Sequence, residues 1–320
     1  MLTHAAKPYF YPGGFGVDVF FVLSGFLITT LLWQEAEQTG RIRFSTFYLK
    51  RAIRLYPALL TTIIVTIIAS QFLGVGMAAV LRDSVAAASY LTPFSVAVFG
   101  DAEFYGHLWT LAVEEYFYLV WPVALYVMRR IGLRWQTLAG LSIAGGSALY
   151  LLRIAGGVLL GADLPYLRVG GIAIGCGIAL IIYYSGSHGG PSLLSAAAVA
   201  GLIAAALCSE LPRMGSLAYP LAAASAVAAV FVVMGPTRGW IQRVLELKPL
   251  VFFGKVSYEV YLIHVLCLLG LALVTGLQRY AIWPVAYPIA VLAASAMHYG
   301  YKPLQDRLRG VLKRGKGATA

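Results

Sequence analysis

The chain alternates long apolar runs with short stretches rich in glycine, proline and charged residues. Nine runs are clear, and a weaker one at 84–99 is interrupted by Pro93. A helix needs about 20 apolar residues to cross a bilayer, so the pattern predicts an all-α, polytopic transmembrane helix bundle of about 9–10 spans. One short re-entrant or interfacial helix is expected near 84–99. The clear runs are 16–33, 55–73, 108–128, 135–152, 168–184, 193–208, 217–234, 256–275 and 281–300.

Composition excludes a soluble globular protein. Of the 320 residues, 60% are hydrophobic and 12% are charged, whereas a soluble domain carries about 25% charged residues. The formal net charge of +11 would suggest nucleic acid in a soluble protein. Here we expect membrane lipid and no nucleic acid among the partners. The three cysteines all lie in apolar runs and indicate neither a disulfide framework nor a metal site.

The basic residues indicate an orientation in the membrane. They concentrate at 34–54, 129–134, 235–255 and 302–316, whereas the intervening loops are neutral or acidic. Basic loops remain cytoplasmic, so we predict a multi-pass protein with a cytoplasmic C-terminus. All four stretches lie on the same side of the membrane if the segment 84–99 does not fully cross it. Irregular backbone at membrane depth needs cover from protein or water, so 84–107 is predicted to line a cavity open to the outside.

The sequence predicts a single membrane domain over residues 1–320. It contains no internal repeat, and we expect no appended soluble domain. The peptide Met1-Leu2-Thr3-His4 resembles the end of a helix whose beginning is missing. The first transmembrane helix is therefore expected to be truncated.

Ionisable residues inside apolar runs are costly, so each needs a reason. Asp18 lies at the start of the first run. There its charge would be stabilised by the helix dipole, or its side chain would form part of an active-site wall. Ser24-Gly25 indicates a helix packing face more than a nucleophile. Lys50, Arg51 and Arg54 share a helical neighbourhood. They would either anchor a cytoplasmic loop or bind phosphate, which the planar guanidinium suits.

The segment His107 to Pro122 contains the most informative polar residues. Glu114 and Glu115 are adjacent in an apolar helix and project about 100° apart, so at least one must face protein or water. His107 precedes Glu114 by seven residues and is expected on a similar face. The carboxylates would either form interhelical hydrogen bonds or orient a histidine for proton transfer.

Three further positions are weaker candidates. Tyr261 and His264 lie three residues apart and could act together, although a lone membrane histidine is more often structural. Arg168 enters an apolar run, and snorkelling to the interface would explain it equally well. No histidine or cysteine spacing is typical of a metal site, so none is predicted.

Taken in order, five stretches resemble the acyltransferase 3 family of bacterial membrane O-acyltransferases. The resemblance covers nearly the whole chain. Two departures are visible: the family's arginine upstream of its first-helix histidine is absent, and Tyr116 stands where glutamine is common. The matching stretches are Gly14 to Thr29, Phe44 to Leu59, His107 to Pro122, Leu167 to Leu180 and Val256 to His264.

The resemblance implies roles for individual residues. His4 matches a histidine thought essential for transfer, with Glu114 and Asp18 as further catalytic candidates. Arg51 and Arg54, with Lys50 beside them, match the basic residues that handle the phosphates of coenzyme A. The expected substrate-binding residues are Glu115, His107, Trp109, Tyr258, His264 and Arg168.

The implied function is transfer of an acyl group, usually acetyl, to a hydroxyl group. Cytoplasmic acyl-CoA would be the donor, and a cell-surface or lipid-linked carbohydrate would be the acceptor, in the bacterial inner membrane. His4 would serve as general base or as transient acyl carrier. Two alternatives remain open: a transporter of acyl or sugar units, and a degenerate, non-catalytic membrane scaffold.

Overall fold

The computed structural model describes residues 14–100, 104–160, 165–186, 191–211, 214–236 and 238–314. This part of the chain contains twelve α-helices, two short 3-10 helices and no strand. The α-helices are α1 Gly16–Thr39, α2 Phe44–Phe72, α3 Met77–Ala88, α4 Thr92–Phe99, α5 Trp109–Arg130, α6 Trp135–Leu160, α7 Gly170–Ser185, α8 Pro191–Glu210, α9 Gly215–Val233, α10 Trp240–Leu245, α11 Lys248–Thr275 and α12 Arg279–Arg314. The 3-10 helices are Gly106–Leu108 and Pro165–Val169.

Nine helices in the described residues are long and apolar enough to span a membrane. Their outward faces carry large apolar side chains, including Leu27, Leu119 and Leu292, which are 54%, 57% and 71% exposed. Such surfaces suit lipid rather than water. The predicted all-α, polytopic transmembrane helix bundle is confirmed.

The weak run near 84–99 forms two short helices instead of the single one expected. α3 begins at Met77, and a turn at Ser89 to Leu91 separates it from α4. Pro93 is tolerated in the first turn of α4, where its missing N–H costs no helical hydrogen bond. At 12 and 8 residues and about 1.5 Å per residue, neither helix crosses a bilayer about 30 Å thick.

The chain forms two compact units, each built from separate stretches. Unit 1 comprises residues 1–42 and 116–247, and unit 2 comprises residues 43–115 and 248–320. Among the described helices, unit 1 contains α1, most of α5 and α6 to α10. Unit 2 contains α2, α3, α4, the first turns of α5, α11 and α12.

In unit 1, two glycines allow α1 and α7 to approach closely. A Cβ added to Gly25 of α1 would collide with the carbonyl oxygen of Ile172, and one added to Gly175 of α7 would collide with that of Val22. Small residues at a crossing let helix backbones meet. The prediction that Ser24-Gly25 forms a packing face is confirmed.

In unit 2, α2, α11 and α12 pack against one another. Tyr258 Oη of α11 donates a hydrogen bond to the carbonyl of Leu55 in α2, at 3.0 Å. Thr61 of α2 and Tyr301 of α12 share a hydrogen bond between their hydroxyls. These contacts hold the middle of α2 against α11 and α12. The basic residues Lys50, Arg51 and Arg54 lie on α2 just before them.

Candidate active site

Asp18 and Arg168 form a buried ion pair in unit 1. Asp18 occupies the first turn of α1 and is fully buried, and Arg168 lies in the 3-10 helix before α7 and is 6% exposed. Arg168 Nη2 lies 2.6 Å from Asp18 Oδ2, and Nε lies 3.2 Å from the same oxygen. Arg168 also donates to the carbonyl of Gly14. The snorkelling explanation for Arg168 is therefore wrong.

Three further side chains complete this group, which we call the Asp18–Arg168 cluster: Tyr150, Arg153 and Tyr219. Tyr150 of α6 donates a hydrogen bond to Asp18 Oδ1 at 2.8 Å. The guanidinium groups of Arg153 and Arg168 lie 3.9 Å and 4.5 Å from the ring centroid of Tyr219 in α9. A ring face attracts such cations, so four elements of unit 1 converge on one polar group.

Ser24 of α1 forms a side-chain hydrogen bond to α5 within unit 1. Its hydroxyl shares a hydrogen bond with Tyr118 Oη of α5. Further along α1, Thr29 accepts a hydrogen bond from Trp121 Nε1 of α5 at 2.9 Å. These polar contacts join α1 to α5, where the surrounding surfaces are apolar.

Glu115 and Arg51 form an ion pair in unit 2. Arg51 Nε lies 3.3 Å from Glu115 Oε1, and both side chains are mostly buried. Lys50 and Arg54, beside Arg51 on α2, are exposed. Glu114 is 2% exposed. Both carboxylates are therefore withdrawn from lipid. The sequence analysis required this of at least one of the two.

His107 lies in the 3-10 helix Gly106–Leu108, before α5 begins. The expectation that His107 and Glu114 lie on a similar face stays a prediction, because α-helical spacing does not extend across residue 107. The His107 ring packs edge-on against the rings of Tyr261 and His264, with centroids 5.2 Å and 5.0 Å apart.

Tyr261 links these elements by hydrogen bonds. Its hydroxyl shares a hydrogen bond with Thr110 Oγ1 at 2.5 Å and donates to the carbonyl of His107. His264 Nδ1 donates to the carbonyl of Tyr261 at 2.8 Å. The structure therefore brings His107, Tyr261 and His264 together. Trp109 begins α5 shortly after His107.

A small cavity of about 120 Å³ lies beside α3 in unit 2. Phe104 and Tyr105, from the segment expected to line a cavity, form part of its wall, and Arg82 and Asp83 of α3 form another part. Arg82 Nε lies 2.8 Å from Asp83 Oδ1. Burial raises the pKa of the Tyr105 phenol, whose oxygen is 3.0 Å from Ser84 Oγ. The opening of this cavity to the outside stays a prediction.

His4 lies outside the described residues, so its proposed role stays a prediction. Among the residues that the structure does describe, no three histidines, cysteines or acidic residues lie together as a metal site. The absence of a metal remains an expectation from the sequence.

Sequence reasoning missed several polar residues inside the spans. Arg153 lies within the α6 span, and Glu259 and His298 lie within the α11 and α12 spans. His298 Nδ1 is 3.0 Å from Glu259 Oε1. The signal was present in each case, because an ionisable residue inside a span indicates function or a buried partner. No comparable signal marks Tyr150 or Tyr219, since tyrosines are common throughout this chain.

A family model described as an acyltransferase domain matches residues 2–299. The chain therefore belongs to this acyltransferase 3 family, which confirms the resemblance read from its motifs. No solved structure gives a significant match.

Individual relatives are similar over different lengths. The peptidoglycan O-acetyltransferase OatA of Listeria monocytogenes is 28% identical over 288 residues, covering 79% of this chain and 44% of that protein. YrhL of Bacillus subtilis, named as a candidate peptidoglycan O-acetyltransferase, is 27% identical over 330 residues, covering 92% and 51%. A Staphylococcus aureus protein named as a candidate O-acetyltransferase is 36% identical over 136 residues, covering 40% and 22%. The chain thus spans about half, or less, of the length of each of these relatives.

Proposed function

We propose that this chain is a membrane O-acyltransferase of the bacterial cell membrane. It transfers an acetyl group from cytoplasmic acetyl-CoA to a hydroxyl of a cell-wall carbohydrate, with peptidoglycan as the acceptor class. The observation that carries the proposal is the acyltransferase family match across residues 2–299. The names of the Listeria and Bacillus relatives support the acceptor, and the basic stretches support a cytoplasmic C-terminus.

In the proposed reaction, His4 removes the proton from the acceptor hydroxyl. The hydroxyl oxygen attacks the thioester carbonyl carbon, and the carbon–sulfur bond breaks. The departing thiolate takes the proton from the imidazolium, so the products are an O-acetyl ester and free coenzyme A. The alternative route passes through an acetyl group carried on His4. Glu114 is the second catalytic residue of this proposal, because it matches the carboxylate of the family's Glu-Glu motif.

Asp18 has a positioning role in this proposal. Both of its carboxylate oxygens are engaged, one by Tyr150 and one by Arg168. This carboxylate fixes the guanidinium of Arg168 just before the start of α7. Arg168 keeps its proposed role in substrate binding from this fixed position.

The donor phosphates are proposed to bind at Lys50, Arg51 and Arg54. The Glu115 carboxylate holds Arg51, while Lys50 and Arg54 are exposed on the same helix. Two exposed cations beside a guanidinium held by a carboxylate offer several charge-assisted hydrogen bonds to a phosphate group.

Replacing His4 tests the mechanism. Purified protein in lipid nanodiscs receives acetyl-labelled CoA and peptidoglycan fragments, and both labelled ester and released thiol are measured. We expect His4→Ala to abolish both signals while the protein elutes as a folded species. Ester formation at the wild-type rate by His4→Ala would rule out this mechanism. Neither labelled ester nor released thiol from the folded wild-type protein would favour a transporter or a scaffold over an enzyme.

A further inference from the structure

The reaction proposed above leaves unused the cavity of about 120 Å³ beside α3. We call it the α3 cavity, and all of its lining residues belong to unit 2. The proposed donor-phosphate residues at 50–54 lie near the start of α2, whereas this cavity lies beyond the end of that helix. In the proposed orientation it is therefore on the outer side of the membrane. Its wall includes Ala79, Val80, Arg82, Asp83, Phe104 and Tyr105.

Arg82 and Asp83 form the charged part of this wall, and α4 holds both in place. Arg82 Nε lies 2.8 Å from Asp83 Oδ1, and Ser95 Oγ of α4 donates to the same oxygen at 3.3 Å. The Arg82 Cζ atom lies 4.7 Å from the centroid of the Phe99 ring, which also belongs to α4. Both charged groups are therefore ordered before a ligand arrives, which lowers the side-chain entropy lost on binding.

These contacts leave hydrogen-bonding capacity on both members of the pair. They engage only the Nε donor of the Arg82 guanidinium and only the Oδ1 acceptor of Asp83. Within the described part of the chain, no other group bonds to the Arg82 Nη atoms or to Asp83 Oδ2. The side chains of Arg82 and Asp83 are 36% and 9% exposed, so a ligand in the cavity can reach both. The wall thus presents donors and an acceptor side by side.

The pair carries no net charge, which favours a neutral ligand rich in hydroxyl groups over an anion. A hydroxyl group both donates and accepts hydrogen bonds. Two neighbouring hydroxyls of a sugar ring can therefore donate to the Asp83 carboxylate and accept from the Arg82 guanidinium at the same time. A phosphate group could accept from Arg82, but the Asp83 carboxylate would repel it.

The rest of the wall suits the C–H surface of a sugar ring. Val80 and Phe104 supply buried apolar surface, and Tyr105 is buried beside them. Ligand sites commonly combine such a lining with a few placed polar groups. The cavity volume equals that of about four water molecules in the liquid, at about 30 Å³ each. Part of one ring therefore enters, and the remaining length of a glycan lies outside.

We propose that the α3 cavity is a subsite for one sugar ring of the acceptor glycan, a proposal that rests on the carbohydrate acceptor proposed above. Arg82 and Asp83 bind neighbouring hydroxyls of that ring, and the apolar wall packs against its C–H surface. The subsite contributes to binding and takes no part in the bond changes of the acetyl group. It lies wholly within unit 2 and uses none of the residues assigned to the donor.

A purely structural role is the main competing explanation for the ion pair. Arg82, Asp83 and Ser95 would then serve only to join α3 to α4. Such a joint accounts for the contacts of Arg82 Nε and Asp83 Oδ1. It does not require an open cavity next to the pair, because a joint between helices gains more from close packing. The cavity and the accessible polar atoms in its wall favour a ligand.

The test compares two neighbouring alanines on α3. Binding of a soluble peptidoglycan tetrasaccharide to the full chain in nanodiscs is measured by calorimetry. Ala79 is exposed and lines the cavity, so Ala79→Phe should fill it and weaken binding by roughly tenfold or more. Ala78→Phe is the matched control, because Ala78 is also exposed but does not line the cavity; it should bind as wild type does. Arg82→Lys, which keeps the charge but loses the planar fork, should also weaken binding.

Three results would overturn the proposal: no binding of the tetrasaccharide by the wild-type protein, wild-type affinity in both Ala79→Phe and Arg82→Lys, or displacement of the tetrasaccharide by glycerol phosphate. The last result would assign the cavity to a lipid headgroup.

Kinetics separate this subsite from a structural role and from the proposed function. In Ala79→Phe the KM for the glycan should rise, whereas kcat and the KM for acetyl-CoA should stay at the wild-type values. A structural role would instead lower thermal stability and change both KM values. If the wild-type protein binds the glycan but transfers no acetyl group, the subsite stands and the proposed function fails. If Ala79→Phe transfers acetyl with an unchanged KM for the glycan, the proposed function stands and the subsite fails.

Discussion

The Asp18–Arg168 pair shows how a buried charge is tolerated in a membrane protein. An ionised carboxylate in an apolar span is costly unless it is paired and hydrogen-bonded. Here Arg168 and Tyr150 satisfy both oxygens of Asp18, and the Tyr219 ring supports the guanidinium. Removing either charge leaves the other unpaired inside the bundle, so this pair should matter more than ion pairs at the surface.

We expect Arg168→Ala to destabilise unit 1 by about 3–5 kcal/mol, the usual cost of leaving one partner of a buried pair uncompensated. Thermal unfolding in detergent, followed by size-exclusion fluorescence, measures the change. In the Arg168→Ala background, a further Asp18→Ala change should cost much less than it does alone. Arg238→Ala is the control, because its pair with Glu246 is exposed. Equal effects of Arg168→Ala and Arg238→Ala would contradict this account.

At the scale of elements, the contact between α1 and α7 depends on two reciprocal glycines. Gly25 faces the backbone of α7, and Gly175 faces the backbone of α1. Neither backbone can yield as a flexible side chain could, so an added methyl must push the helices apart. Because α1 carries Asp18 and α7 follows Arg168 directly, separating these helices would also disturb the ion pair.

Gly25→Ala and Gly175→Ala should each destabilise the protein by about 1–3 kcal/mol through overpacking. Gly140→Ala, on α6, is the matched control, because an added Cβ there meets nothing within 4 Å. It should be neutral or slightly stabilising, since alanine restricts the unfolded chain. The same unfolding assay applies, and a neutral Gly25→Ala would show that α1 and α7 are not tightly packed at this point.

At the scale of the whole molecule, the number of spans and the basic loops determine the proposed orientation. If the nine candidate spans in the described residues all cross and α3 and α4 do not, the basic stretches lie on one side of the membrane. The α12 helix continues to Arg314, so the basic C-terminal stretch is largely helical. Sidedness follows from charge and helix count, and labelling can test it.

Single cysteines replacing exposed glutamines should report the two sides. We expect an impermeant maleimide to label Gln71→Cys and Gln278→Cys in intact cells, because these positions end α2 and precede α12. Gln38→Cys and Gln136→Cys should react only after permeabilisation. The variants are made in a background with the three native cysteines replaced by alanine. Labelling of Gln71→Cys and Gln278→Cys from opposite sides would contradict the proposed topology.

The spans were predictable because hydropathy is a local property of the chain. The withdrawal of Glu114 and Glu115 from lipid followed from their adjacency alone, and Gly25 was recognisable as a packing residue. The partners of Asp18 were not predictable, because Tyr150 and Arg168 lie 132 and 150 residues away. No local periodicity encodes such pairing. The 3-10 helix before α5 was not predictable, because so short a helix gives no hydropathy signal.

The most direct test of the central claim uses proteoliposomes containing the full chain, with acetyl-labelled CoA supplied on the side of the basic loops. Peptidoglycan fragments are supplied on the other side. The account predicts labelled O-acetyl ester on the fragments and an equal amount of free coenzyme A thiol on the donor side. Labelled acetyl units that cross without thiol release, or a folded protein that yields neither product, would contradict it.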